Sequence, residues 1–150
     1  MADVDIPSQI YMGNSTNFAF HNHFFNEEKG LFETRRGTGH YSRLTNSLAI
    51  LAGVCSADES RTIAERLVSD TSLVDASLSM RTFLYDALLA VDKSYASFVL
   101  SDIERVYTPM LKTGNNTVWE TELGESDFDN AGSLCHGWSA IPIYYYNILK

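Results

Sequence analysis

An all-α fold of six helices, paired into three consecutive hairpins, is what the sequence predicts. Apolar residues recur every three to four positions in six separate segments, and no stretch alternates as a strand would. The links between those segments are alternately long and short. With consecutive helices antiparallel, as short links favour, the long links gather at one end of the molecule.

The first helix starts near Pro7, a residue suited to a first helical turn, and carries Ile6, Ile10, Phe18, Phe24 and Phe25. In HYSRLTNSLAILAGV the second helix sets Leu44, Leu48 and Leu51 on one stripe, with Ser47, Ala49 and Ala52 between them and Gly53 weakening its end. Ser56 followed by Glu59 reads as a capping box opening a third helix with Ile63, Leu67 and Val68. The fourth, about residues 74 to 91, aligns Leu78, Leu84, Leu88 and Val91. The fifth carries Tyr95, Phe98, Val99, Ile103, Val106 and Met110, with a kink expected at Pro109 and a stop at Gly114. The sixth is GSLCHGWSAIPIYYYNILK, Gly132 to Lys150, with Trp138, Ile141, Tyr145 and Ile148 at helical spacing.

The first link is about 14 residues and the last about 19, against about 3 and about 2 for the second-to-third and fourth-to-fifth links. One rim therefore carries nearly all the elaborate loops. That is the layout of an α-hairpin toroid, in which hairpins stand in a ring around a site at one rim, and three hairpins make about half of such a ring. The small-residue-rich second and sixth helices suit the crowded inner side, with the first, third and fifth outside. The sixth, apolar on more than one face, expects neighbours on both sides. No composition shift marks an internal boundary, so residues 1–150 read as one piece of a single domain.

Composition narrows the partners. A 150-residue chain with 45% hydrophobic residues can build one core, and a net charge of -8 with 11 Lys plus Arg argues against nucleic acid. No apolar run is long enough to cross a membrane. The opening residues, with Asp3 and Asp5 and no early cation, do not form a signal peptide; the compartment stays open between cytoplasm and, for a fragment, periplasm or secretion. Cys55 and Cys135 read as buried free thiols.

The chemistry gathers near the long-loop rim. TGNNTVWETELGESDFDNAGS holds Glu120, Glu122, Glu125, Asp127 and Asp129, with Trp119 directly before the first. Acid beside aromatic suits a sugar site, because sugars stack an apolar face on an indole while carboxylates bind hydroxyls and move protons. The same residues also read as a solvated acidic loop. DFDNAG lacks a calcium ligand at Ala131. Cys135 and His136, adjacent on a helix, point about 100° apart and so are badly set to share a metal or act as nucleophile and base. The histidines of HNH, His21 and His23, diverge likewise, and no metal or other cofactor is expected. NST at Asn14 and NNT at Asn115 match glycosylation acceptors, which matter only in a eukaryotic secretory protein. Phosphate loop, dinucleotide fingerprint and nucleophile elbow are all missing.

The order FFNEEKGLFETRRGTGHYSRLTNSLAILAGV, ASLSMRTFLYDALLAVD, TVWETELGESDFDNAGSLCHGWSAIPIYYYNIL closely resembles the last part of the catalytic domain of bacterial α-L-rhamnosidases, six-hairpin (α/α)6 toroid glycosidases. TVWE and SLCHGWSAIP are its most specific elements; the helical segments alone would fit other toroid glycosidases. The resemblance implies inverting hydrolysis, in which one carboxylic acid protonates the leaving oxygen while an opposing carboxylate activates water. It implies that Glu120 is the general base and that His136 binds the sugar at the rim. It also implies an apolar wall formed by Trp119 or Trp138, although Trp138 equally reads as packed inside the sixth helix.

The departure from the family is equally informative. In such enzymes the general acid lies in earlier hairpins, upstream of anything in this sequence, and Glu27, Glu28 and Glu33 are not set opposite Glu120 by the resemblance. The expectation is a C-terminal half-toroid, inactive alone, that needs the missing N-terminal half or self-association to complete a rhamnoside site. A non-catalytic helical carbohydrate-binding or interaction module, or a toroid glycosidase for another sugar, is the alternative.

Overall fold

The computed structural model describes residues 7–114 and 116–150, with side chains in the first helix described from residue 15 onward. Asp3, Asp5 and Ile6, the side chains of Ile10 and Asn14, and the Asn115 acceptor lie outside that description. Among the described residues the chain is mostly helical: α1 (Pro7–Phe24), α2 (Arg43–Leu51), α3 (Ala57–Ser69), α4 (Arg81–Val91), α5 (Ala96–Lys112) and α6 (Pro142–Leu149). The all-α expectation holds in this coarse sense. Two short strands, β1 (Phe25–Asn26) and β2 (Leu31–Phe32), depart from it. Two residues per strand are too few for alternation to register in a sequence. The residues group into two compact units, Met1–Val74 and Asp75–Lys150, a division no composition shift announces.

In the first unit α1 runs directly into β1, and the chain reverses so that Phe25 pairs with Phe32 and Asn26 with Leu31. Leu31 and Phe32 are core residues. Asn46 of α2 is fully buried beside them: its Oδ1 accepts from Phe32 N–H at 2.9 Å, and its Nδ2 donates to Phe32 O at 3.1 Å and Ser42 O at 3.0 Å. A buried amide must find partners for both its oxygen and its nitrogen, and the free edge of a two-residue strand supplies them. This is why α2 buries Asn46, Ser47 and Ala49 and leaves Leu48 and Leu51, of the expected apolar stripe, exposed. Small and hydrogen-bonding residues let α3 and β2 approach that face closely. The α3 capping box forms as read, with Ser56 N–H donating to Glu59 Oε2 at 2.7 Å and Glu59 N–H to Ser56 Oγ at 3.2 Å. Glu59 also meets His21 Nε2 of α1 at 2.8 Å, which gives that histidine a structural partner. Ile63 and Leu67 are fully buried, each contributing roughly 1.5–3 kcal/mol.

In the second unit α4 starts at Arg81, later than the expected residue 74, after a 3₁₀ turn over Leu78–Met80. Before it, at the end of the first unit, Asp70 caps α3 and holds the N–H and hydroxyl of Ser72 on one oxygen, an Asx turn that competes with helix continuing out of α3. Leu78, Leu84, Tyr85 and Leu88 are buried, as are Val99, Ile103, Val106 and Met110 of α5, which continues past Pro109 to Lys112. The largest correction concerns the sixth helix. Its helical part begins at Pro142, the residue pre-set for a first turn, so Cys135, His136 and Trp138 lie in the connection before it. Tyr145 is the fully buried residue of α6, its ring edge-on to Tyr85 with centroids 5.0 Å apart and its hydroxyl 2.8 Å from Asp86 Oδ1. Ile143, Tyr144 and Ile148 of the same helix are exposed.

Candidate functional site

The connection from α5 to α6 folds back on itself. Residues 117–120 run beside 133–136: Glu120 N–H donates to Ser133 O at 2.9 Å, His136 N–H to Val118 O at 2.8 Å, and Thr117 Oγ1 to Leu134 O at 2.5 Å. The intervening segment is a tight loop in which both Ala131 N–H and Gly132 N–H donate to Asp127 O at 3.0 Å. Phe128, Asp129 and Asn130 consequently take φ values of 50°, 58° and 68°, three successive left-handed residues. Such a conformation costs roughly 1–2 kcal/mol per residue for L-amino acids. Two glycines make the closure possible. At Gly124, with φ 58°, a Cβ would sit 2.6 Å from the Trp119 ring, and at Gly132 one would collide with the Gly124 carbonyl.

Glu120 is half-buried on this frame. Its Oε2 accepts from Ser133 N–H at 3.3 Å, and its other oxygen makes no hydrogen bond among the described residues. A carboxylate fixed by one oxygen and open at the other can orient a water and take its proton. His136 is half-buried and extended (φ −133°, ψ 98°), with its ring centroid 6.4 Å from that of Trp138. In an extended segment successive side chains point to opposite sides, so Cys135 and His136 remain badly set for joint chemistry, for a reason other than the helical one. Cys135 is exposed and Cys55 half-buried, so neither is the fully buried thiol expected; burial still pushes the Cys55 thiol up to about 11.

The two tryptophans divide the roles expected of them. Trp138, on the 3₁₀ turn Gly137–Ser139, is 76% exposed and so is not packed inside a helix. Trp119 is 9% exposed, its ring lying under Gly124, whose Cβ position is also close to Leu134. It supports the loop from below, and its open stacking face is lost. Tyr107 of α5 donates to Ser139 O at 2.8 Å and so fixes the turn that carries Trp138.

What anchors the loop is a group of charges that the sequence did not announce. Arg81, fully buried, donates to Asp102 Oδ2 at 2.6 Å, to Asp75 Oδ2 at 2.8 Å and to Glu122 Oε1. Arg105 holds the second Glu122 oxygen at 3.1 Å and Asp102 Oδ1 at 2.8 Å, and Tyr85 donates to Asp102 at 2.8 Å. Glu122, two residues beyond Glu120, thus ties the acidic loop to α4 and α5. Burial opposes the charge on Arg81, but the Asp102 and Asp75 carboxylates outweigh it and hold its guanidinium even more firmly protonated than usual. Burial likewise raises Asp102, and the Arg81 charge with the Arg105 and Tyr85 hydrogen bonds overcomes it, leaving the carboxyl below its ordinary range. Asp102 and Arg105 have the i,i+3 spacing of a surface helix pair and could have been read as one. Arg81 had no such signal, since Asp75 stands six residues away outside the helix and Asp102 and Glu122 are 21 and 41 residues off.

No protein-family model and no curated protein matches the chain. Among solved structures it is similar to the GH78 family rhamnosidase of Bacillus sp. GL1, with 28% identity and a TM-score of 0.74, over 87% of this chain and 15% of that one. It is also similar in fold to a rhamnosidase from Klebsiella oxytoca with rhamnose bound, with 19% identity and a TM-score of 0.69, over 86% of this chain and 26% of that one. The chain therefore spans only a minor part of either rhamnosidase. The resemblance to rhamnosidases read from TVWE and SLCHGWSAIP is matched in three dimensions, and the partial coverage is consistent with a C-terminal part.

Proposed function

We propose that the chain is the C-terminal half-toroid of an inverting glycoside hydrolase that removes terminal α-L-rhamnose from glycosides or polysaccharides, with Glu120 as its general base. The observation that carries this reading is the Glu120 carboxylate, fixed through Ser133 with one oxygen open, in a chain that resembles a rhamnosidase at 28% identity. Glu120 orients a water and takes its proton as the water's oxygen attacks the anomeric carbon. A carboxylic acid roughly 6.5–9.5 Å away protonates the leaving oxygen, and it belongs to a part of the toroid beyond this sequence. His136 and the exposed indole of Trp138 hold the sugar; Trp119 and the Arg81–Glu122 pair keep the loop in register. The uncovered apolar residues of α6, Ile143, Tyr144 and Ile148, suit packing against the remaining half or a second copy.

The test is hydrolysis of an aryl α-L-rhamnoside by the chain alone. Negligible turnover is expected, equal to that of Glu120→Gln; robust turnover abolished by Glu120→Gln would overturn the incomplete-site reading. The exposed Trp138 indole beside His136 also favours a second reading, a helical carbohydrate-binding module without catalysis. Saturable binding of L-rhamnose, lost in Trp138→Ala, with no turnover even when further toroid hairpins are supplied, would support the module over the enzyme.

A further inference from the structure

We infer that the loop between β2 and α2 is a carboxylate-binding site, that the protein's own Glu33 fills it in the free chain, and that a carboxylate from outside takes the place of Glu33 with the help of Arg35 and Arg36. The inference lies wholly in the first unit and does not rest on the reading of Glu120.

The loop is closed by an antiparallel bridge between Arg35 and His40 and by Thr34 N–H, which donates to His40 O at 2.8 Å. At its tip Gly37 and Gly39 take φ 72° and 63°, the left-handed backbone that lets nearby amides converge on one anion. They do converge. Gly37 N–H donates to Glu33 Oε2, Gly39 N–H donates to Glu33 Oε1 at 3.1 Å, and the Tyr41 hydroxyl donates to the same Oε1 at 3.4 Å. Two amides on two oxygens, with a hydroxyl on one of them, form a receptor of the width of a carboxylate. The fold does not need it, because both glycines are exposed and water would serve their N–H groups equally well. The tip is also open: a Cβ at either glycine would meet nothing within 4 Å. A surface ordered before binding loses little freedom on binding.

Charge selects the sign of the guest. The chain has a net charge of -8, yet from Thr34 to Ala57 it carries Arg35, Arg36 and Arg43 and no Asp or Glu. Arg35 and Arg36 are exposed and form no ion pair with Glu33 or with any other carboxylate among the described residues. His40, directly across the bridge from Arg35, has none either. Cationic side chains set opposite one another with no anion between them oppose the pairing that closes the loop, and a guest carboxylate relieves that opposition. The guanidinium beside Gly37 can also give it charge-assisted hydrogen bonds that Glu33 does not receive. Exchanging one carboxylate for another keeps both amides satisfied, and Glu33, already half-buried at the surface, turns to water without stranding its charge.

The test is an NMR titration of the ¹⁵N-labelled 150-residue chain with sodium acetate, the carboxylate alone, and with sodium D-glucuronate, the carboxylate on a sugar, each against sodium chloride at equal ionic strength. Saturable shifts of the Gly37 and Gly39 amides are expected with a carboxylate and not with chloride. Tighter binding of glucuronate than of acetate assigns the site to sugar acids; equal or weaker binding assigns it to small carboxylates. Because Glu33 competes for the site, its removal should raise the affinity in inverse proportion to the fraction of time the site is open, about 10-fold if that fraction is about one-tenth. Glu33→Ala reads this if the Thr34–His40 hydrogen bond persists, and Glu33→Gln, which keeps the side-chain length, reads it if that bond is lost. Replacing Arg35 and Arg36 together with Gln should weaken binding. Shifts reproduced by chloride, no saturable shift in the wild-type chain, no gain in affinity on losing the Glu33 carboxylate, or binding indifferent to both arginines would each overturn the inference.

Discussion

The units Met1–Val74 and Asp75–Lys150 are close in size and both helical, yet they bury polarity in opposite ways. The first uses a neutral group: Asn46, fully enclosed, exchanges hydrogen bonds with the backbone of Phe32 and Ser42. The second uses charges: Arg81 is fully enclosed among Asp75, Asp102 and Glu122, with Arg105 at the edge. A neutral amide fixes local register, here β2 against α2, and is indifferent to pH. A buried ion network reaches further, joining α4, α5 and the acidic loop, and it fails when one member is removed or protonated. The candidate site sits on the network and not on the amide, so its geometry depends on charge.

The largest expected effect tests that contrast directly. Arg81→Ala leaves three carboxylates without their central cation, and breaking one partner of a buried pair costs about 3–5 kcal/mol. Asn46→Ala strands the Phe32 N–H and carbonyl, at about 1–3 kcal/mol. Urea unfolding of both variants should rank them in that order. Both tryptophans belong to the second unit, so Arg81→Ala should in addition change the fluorescence of the folded protein. Equal destabilisation, with an unchanged spectrum, would mean that the charge network adds nothing beyond ordinary burial.

A smaller effect follows from pH. Asp102 has a folded pKa below its ordinary 3.8, so its contribution to stability is complete above that value and is lost as pH falls through the depressed one. Glu59 of α3 is lowered too, burial opposing and the Ser56 and His21 hydrogen bonds prevailing, but its side chain is more open to water and its contribution is more screened. Acid titration should therefore perturb tryptophan fluorescence, and Asp102→Asn should flatten that response. Fluorescence and far-UV circular dichroism falling together, unaltered in Asp102→Asn, would contradict the assignment.

These differences also explain what could be read in advance. The helices legible in the sequence were those stabilised locally: α3 through its Ser56–Glu59 box, α5 through its run of apolar residues at helical spacing. The second helix was legible as a helix but not by its buried face, because Asn46 and Ser47 are inside for reasons that lie on β2. The helical spacing of Trp138, Ile141 and Tyr145 extends the sixth helix back too far, because the hydrogen bonds of residues 133–136 run across to Val118 and Glu120. Trp119 and Glu120 stand out in the sequence as an aromatic beside an acid, while the roles given to Glu120, His136 and Trp138 rest on the family resemblance. Which indole is open, and that Arg81 and Glu122 brace the loop, depended on pairings between residues distant in the chain, which periodicity cannot carry.

The smallest expected effect isolates backbone strain within one loop. Gly124 and Asp129 share a φ of 58°, and their surroundings make them opposite cases. Gly124 is pressed against Trp119, so a side chain there is excluded by contact as well as by conformation. Asp129 is exposed, and only its Cβ suffers from the left-handed backbone. Replacing it with Gly removes roughly 1–2 kcal/mol of strain and adds roughly 0.5–1 kcal/mol of unfolded-state entropy. Asp129→Gly should therefore raise the stability of the folded chain by about 0.5–1 kcal/mol, read as a higher urea midpoint with an unchanged slope. If the midpoint falls instead, the Asp129 side chain makes a favourable interaction that outweighs its strained backbone, and the loop is held by more than the clamp at Glu122 and the carbonyl of Asp127.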